Sequence, residues 1–359
     1  MPDTSLSLGD LIDMQIRASG PISIATYMGL CLTHPTRGYY RKADPLGAGG
    51  DFITAPEISQ MFGEMIGAWV ADLYVQMGSP RSLTLLELGP GRGTLMADAL
   101  RVATRVPGFA DARALALYET NPDLKAMQAE TLRAYDPTFI SEPEDISPGP
   151  VIVIANEFFD ALPVRQFVKR GDKWFERMVG LEGGKRRFGL SPTPYDGALL
   201  GPGFADAPEG AVAEISLAAR QFAERLGKVI GPRGGVLLAL DYGYGRTQPG
   251  ETLQALARHR FADPLDAPGA ADLTAHVDFE ALGGALRMAG LTIAPLATQG
   301  DYLTSLGITA RMEALAAANP ARTGALEAAF HRLTHAQEMG VLFKAFCAAS
   351  PGLSPAGFS

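Results

Sequence analysis

Residues 85–100 read LLELGPGRGTLMADAL, and no other stretch constrains the fold as tightly. Apolar residues run into an acid, Glu87; glycines then stand at 89, 91 and 93, and a pattern of helical period follows. The run spells a buried strand, a turn with backbone angles that glycine adopts most easily, and a helix opening directly from that turn. Strands and helices alternate around it: we expect strands at 83–88, 114–119, 138–140 and 151–155, and helices at 94–106 and 123–135. VIVIA at 151–155 shows no polar alternation, as in a parallel strand covered on both faces. The βαβαββ progression calls for a doubly wound α/β sheet with right-handed crossovers.

The flanking regions read differently. Residues 1–80 form a predicted helical extension: Ser7 caps a helix to Arg17, Gly20 and Pro21 end it, and a short helix follows Ser23. Thr54 and Glu57 stand at capping-box spacing before an apolar stripe from 58 to 77. The main domain is expected over 81–349. Within it, roughly 165–210 reads as an inserted β-ribbon with turns at Gly171-Asp172 and Gly183-Gly184. A helix over 211–226, a strand over 235–241, loops over 245–275 and a helix over 278–288 follow. A strand over 291–297, a helical stretch over 308–338 and a last strand over 341–348 complete it, with 350–359 as a frayed tail.

Charge and composition narrow the partners. The 359 residues carry 31 Lys and Arg against 39 Asp and Glu, a net charge of −8, which argues against nucleic acid and suits a basic protein segment. No apolar run reaches the roughly 18 residues of a membrane span. The start, MPDTSLSLGDLID, has neither a signal-peptide pattern nor an Arg-rich presequence, and with the Ala/Gly/Arg-rich composition it leads us to expect a cytoplasmic bacterial protein. Cys31 and Cys347 stand far apart outside any metal-ligand spacing and read as buried thiols; no metal is expected.

Three ligands compete for the glycine loop. A P-loop needs a lysine after its glycines, and none is present. A dinucleotide loop wants glycine at 94, where this chain has Thr. S-adenosyl-L-methionine (SAM) carries an ammonium and a sulfonium and no phosphate. Glu87 supplies a carboxylate for the ammonium, and Gly89, Pro90, Gly91 and Gly93 let backbone approach the aminoacyl part. Glu119, at the end of the next strand, offers acceptors to both ribose hydroxyls; its packing alternative is an acid at a helix start capped by Asn121. SAM fits best.

ANEFFDALPV ends the fourth strand with Asn156, Glu157, Phe158, Phe159 and Asp160, at the sheet edge where doubly wound folds place their chemistry. Asn156 would border the methyl donor. Glu157 and Asp160 suit a guanidinium, which paired carboxylates hold bidentately; capping is the alternative for Asn156 and Asp160. Asp51 and Thr54 in GGDFITAPE, Asp241 and Tyr242 in LDYGYG, and His276 and Asp278 in LTAHVDF are further candidates to close the pocket. Asp278 could equally cap the helix behind it.

In order and together, HPTRGYY, GDFITAPEISQMFGE, LLELGPGRGTLMADALR, ANEFFDALPVRQF, LDYGYG, LTAHVDF and TQGDYLTSLGI make the chain resemble the MidA-like family over nearly its whole length. The resemblance implies a class I SAM-dependent methyltransferase with a Rossmann-like, seven-stranded, doubly wound sheet whose last strand is antiparallel, an N-terminal helical extension and an inserted β element. It also implies symmetric dimethylation of an arginine on the quinone-site-proximal subunit of respiratory complex I during assembly. The alternatives are a non-catalytic SAM-binding assembly chaperone, a small-molecule methyltransferase and, more remotely, an NAD-dependent oxidoreductase.

Overall fold

A computed structural model describes residues 6–41, 54–257 and 260–358. These fall into two compact units, each assembled from several chain segments.

The first comprises the described residues of 54–159, 222–243 and 282–358. Its sheet is built from β1 (Leu83–Leu88), β2 (Arg113–Tyr118), β3 (Thr138–Ile140), β4 (Val151–Asn156), β5 (Gly235–Tyr244) and β6 (Phe343–Ala349). The order is β6-β5-β4-β1-β2-β3, parallel except for β6, with the two-residue strand Thr292–Ile293 beyond β6. β1 is buried throughout, as is β4 up to its last residue, as central strands covered on both faces must be. Helices α1 (Gln60–Gln76), α2 (Thr94–Ala103) and α3 (Pro122–Thr131) belong to this unit. Phe62, Ile66, Trp69 and Leu73 of α1 join Leu100, Ile152, Leu238 and Cys347 in one core.

Two glycines let α1 lie directly on α2: a methyl on Gly67 would stand 2.3 Å from the carbonyl oxygen of Ala99, and one on Gly63 2.6 Å from Cβ of Asp98. Glu64, between them and 2% exposed, accepts 2.7 and 2.8 Å bonds from Arg311 and a 3.4 Å bond from Arg101. Burial pushes its pKa up, but the two guanidinium groups outweigh that and hold it below the usual carboxylate value.

The second unit comprises the described residues up to 41, with 160–221 and 244–281. Ser7 caps the helix Leu8–Ser19 and Ser23 caps Ile24–Thr33. The ribbon strands Arg165–Arg170, Lys173–Glu182 and Lys185–Tyr195 pair antiparallel, turning at Gly171-Asp172 and Gly183-Gly184. Ile22–Ser23 and Val212–Ile215 extend that sheet. Ile12, Tyr27, Met28, Val179 and Leu273 form a separate core.

Several sequence expectations are corrected. Residues 54–80 pack with the sheet unit and not with an N-terminal extension, because the stripe of α1 fits the α2 surface. The box at 54 and 57 does not close: Thr54 makes no side-chain cap bond, Glu57 instead accepts a 2.6 Å bond from Thr94, and Ser59 caps α1. The start of the helix expected at 211 is a strand to Ile215, pinned by the buried Glu214, which accepts from Gln166, Thr252 and Leu253; the helix is Leu217–Arg233. The stretch 245–275 holds a small sheet of Gln254–Ala257, Arg260–Ala262 and Asp272–Thr274. The strand expected over 291–297 is broken into two pairs of residues around Pro295, which has no N–H to give to a ladder. The tail is not frayed: Phe358 is 8% exposed, and Trp69 donates a 3.2 Å bond to the carbonyl of Ala356.

Both cysteines are buried free thiols. Among the described residues no helix is long and apolar enough to cross a membrane, and no three metal-ligating side chains gather.

Candidate active site

The site grows from the carboxyl edge of the sheet. β1 ends at Leu88, and Gly89, Gly91 and Gly93 then take φ of 62°, 57° and 82°, a left-handed run that residues with a Cβ resist. The turn is fixed at both ends: Gly89 N–H donates 3.0 Å to the Tyr118 carbonyl on β2, and Gly93 N–H donates 2.8 Å to the Pro90 carbonyl. Gly93 is then the N-cap of α2. A Cβ on Gly89 would come 3.2 Å from the ring of Phe158. Pro90 is buried; Gly89 faces solvent.

Three buried acceptors near this loop lack partners among the described residues: Oε2 of Glu87, Oδ1 of Asn156 and Oε1 of Gln128. Glu87 is 2% exposed, and burial pushes its carboxyl up to about 8. An unpaired buried acceptor is costly and calls for a donor or a cation. With no lysine in the loop, that acceptor-only chemistry fits the ammonium end of SAM and does not fit phosphate.

Glu119 follows β2. Its Oε1 accepts from the main-chain N–H of Thr120 and Asn121 at 2.7 and 2.8 Å, and Asn121 caps α3 through a 2.9 Å bond from Asp123. Its Oε2 accepts a 3.1 Å bond from Gln128 on α3, and Gln128 also donates 2.7 Å to the Gly91 carbonyl. Sequence reasoning missed Gln128, a lone amide nine residues past Glu119 with no motif to mark it.

Asn156 closes β4 and donates a 3.2 Å bond to Oε1 of Glu157. Glu157 has φ of 49°, one of three non-glycine residues with positive φ among those described. Its N–H is anchored 2.9 Å from the Leu240 carbonyl. Two residues on, Phe159 N–H donates 3.0 Å to the carboxylate of Asp241, which is 1% exposed and also accepts from Tyr242 N–H. β5 thus holds the turn that carries Glu157. Phe158 packs edge-on against Tyr118 and beside Phe222.

The other candidates divide. Thr54 is half-buried at the start of a short helix in the sheet unit. Asp160, 5% exposed, belongs to the second unit, where its carbonyl accepts from Ala275. His276, half-buried there, donates its N–H 2.9 Å to Thr252. Asp278 takes the capping alternative: Oδ1 accepts from Ala281 N–H at 3.0 Å and Oδ2 from Thr247 at 2.7 Å. Asp51 lies outside the described residues.

Comparison with known proteins agrees with this chemistry. Residues 65–296 match the model of a family of S-adenosyl-L-methionine-dependent methyltransferases. The chain is 37% identical to zebrafish (Danio rerio) "Protein arginine methyltransferase NDUFAF7, mitochondrial", over 92% of this chain and 84% of that one. To the human (Homo sapiens) protein of the same name it is 35% identical, over 84% and 73%. A crystal structure from Burkholderia thailandensis, described as a methyl transferase bound to S-adenosyl-homocysteine, superposes with a TM-score of 0.86 at 28% identity, covering 98% and 93%. The curated relatives are named as mitochondrial, which overturns the expectation of a cytoplasmic bacterial location.

Proposed function

This chain belongs to that family of SAM-dependent methyltransferases, and on that premise we propose that it methylates an arginine of a protein, a subunit of respiratory complex I during its assembly. The observation that carries the reading is Glu157, a carboxylate held at φ 49° beside Asn156 at the sheet's carboxyl edge. Strained backbone of this kind collects at functional sites. The names of the curated relatives support arginine as the acceptor.

We assign Gly89, Pro90, Gly91 and Gly93 to the methionine part of SAM, Glu87 to its ammonium, Glu119 to its ribose and Asn156 to the border of the donor. We read the sheet as the seven-stranded sheet of class I methyltransferases. SAM supplies a methyl carbon on a sulfonium, open to in-line attack. The chain's task is to orient the nucleophile and manage its proton. A guanidinium is planar, rich in donors and charged at neutral pH. Glu157 draws that charge toward the nitrogens it holds and leaves the attacking nitrogen electron-rich. Asn156 keeps one Glu157 oxygen in place. After transfer the nitrogen sheds a proton, for which Glu157 is the nearest acceptor in our assignment.

The test combines the protein, SAM and the quinone-site-proximal complex I subunit, with modifications mapped by mass spectrometry. We expect two methyl groups on one arginine, absent with Glu157→Gln although SAM still binds. Transfer surviving in that variant would remove Glu157 from the chemistry.

A further inference from the structure

We propose that Gln128 is a positioning residue for the cofactor, holding Glu119 so that its carboxylate takes one ribose hydroxyl instead of two. The proposal rests on the reading of Glu119 as the ribose acceptor.

Gln128 is wholly buried on α3. Its Nε2 sits 2.7 Å from the Gly91 carbonyl and 3.1 Å from Oε2 of Glu119. Both neighbours are pure acceptors, so the amide faces them with its nitrogen and both of its N–H groups are spent. One side chain therefore locks the glycine loop to the residue that follows β2. No charged side chain does this as well. A lysine would neutralise Glu119, and a glutamate would repel it.

The consequence follows from acceptor counting. An ionised carboxylate offers about four acceptor positions. On Glu119, Oε1 takes the N–H groups of Thr120 and Asn121. Oε2 takes Gln128. Among the described residues one position is left, on Oε2. A vicinal diol presents two donors, and only one finds an acceptor here. The site then tells the 2′ and 3′ hydroxyls apart, which a carboxylate with both edges open does not.

The first measurement needs no variant. Affinities of the full chain for S-adenosyl-homocysteine and its 2′-deoxy and 3′-deoxy analogues are measured by calorimetry. One analogue is expected within about twofold of the parent and the other weaker by about tenfold or more, the loss of one bond to a charged acceptor. Equal losses for both analogues overturn the proposal. Gln128→Met keeps the volume and removes both bonds, and is expected to bring the two analogues within about threefold of each other. An unchanged ratio in folded Gln128→Met protein also overturns it. Glu119→Gln separates the proposal from the reading beneath it. If that variant binds S-adenosyl-homocysteine as the wild type does, Glu119 is not the ribose acceptor and the reading fails with the proposal. If it binds weakly while both analogues lose equally in the wild type, the proposal alone fails.

Discussion

A glutamate at φ 49° costs free energy that asparagine, whose short amide tolerates the left-handed region, largely avoids. Keeping glutamate there makes sense if the carboxylate is needed. Glu157→Asn is therefore expected to raise unfolding free energy by about 0.5–1 kcal/mol and to abolish methyl transfer. Paired thermal melts and transfer assays check this; a variant both destabilised and active would contradict it. At this scale the sequence showed which residues could do chemistry but not how each was already occupied. Glu157 and Asp278 looked alike as acids in quoted motifs. Asp278 has both oxygens committed to a helix cap and to Thr247. Glu157 has strained backbone, which no motif reveals. Glu87 was legible because an acid inside an apolar strand is conspicuous, whereas Gln128 depends on contacts between α3 and the loop that no local pattern encodes.

Elements were legible where their signals were local. β4 was readable as an unbroken apolar run, β1 as an apolar run carrying an acid, the ribbon turns from Gly171-Asp172 and Gly183-Gly184, and the first helix from its capping serine. The errors came where a distant partner decided. Residues 212–215 have helix-compatible composition, yet Glu214 is drawn into a buried bond with Gln166 48 residues away, and the segment becomes a strand. The assignment of α1 to an N-terminal extension failed for the same reason: its stripe gave the helix but not the surface that covers it. That surface is α2, and the contact depends on the absence of a side chain at Gly67. Gly67→Ala would put a methyl 2.3 Å from the Ala99 carbonyl, so the helices must separate. The expected cost is about 1–3 kcal/mol, opposite in sign to the usual gain from replacing a helical glycine with alanine. Denaturant titration of the two proteins measures it, and a stabilised Gly67→Ala protein would refute direct helix contact.

For the molecule as a whole, the unpaired acid in β1 links folding, pH and cofactor. The Glu87 carboxyl has its folded pKa raised by burial from 4.5 to about 8. The neutral form is favoured in the fold, so its contribution to stability is complete below about pH 4.5, declines as pH rises, and is gone above about pH 8. Every tenfold change in a proton affinity corresponds to about 1.4 kcal/mol, so without ligand this one residue removes a few kcal/mol across that window. A cation beside it reverses the balance. If the SAM ammonium pairs with Glu87, the bound protein prefers the carboxylate, the alkaline loss of stability shrinks, and binding near pH 7 releases a proton. S-adenosyl-homocysteine, which keeps the ammonium, is the probe. Its affinity should rise from pH 6 to about pH 8, and its apparent binding enthalpy near pH 7 should depend on the ionisation enthalpy of the buffer. Glu87→Gln should flatten both dependences and weaken binding at alkaline pH. A buffer-independent enthalpy in the wild-type protein, with tight binding intact, would place the ammonium elsewhere and leave Glu87 a neutral buried acid of the sheet.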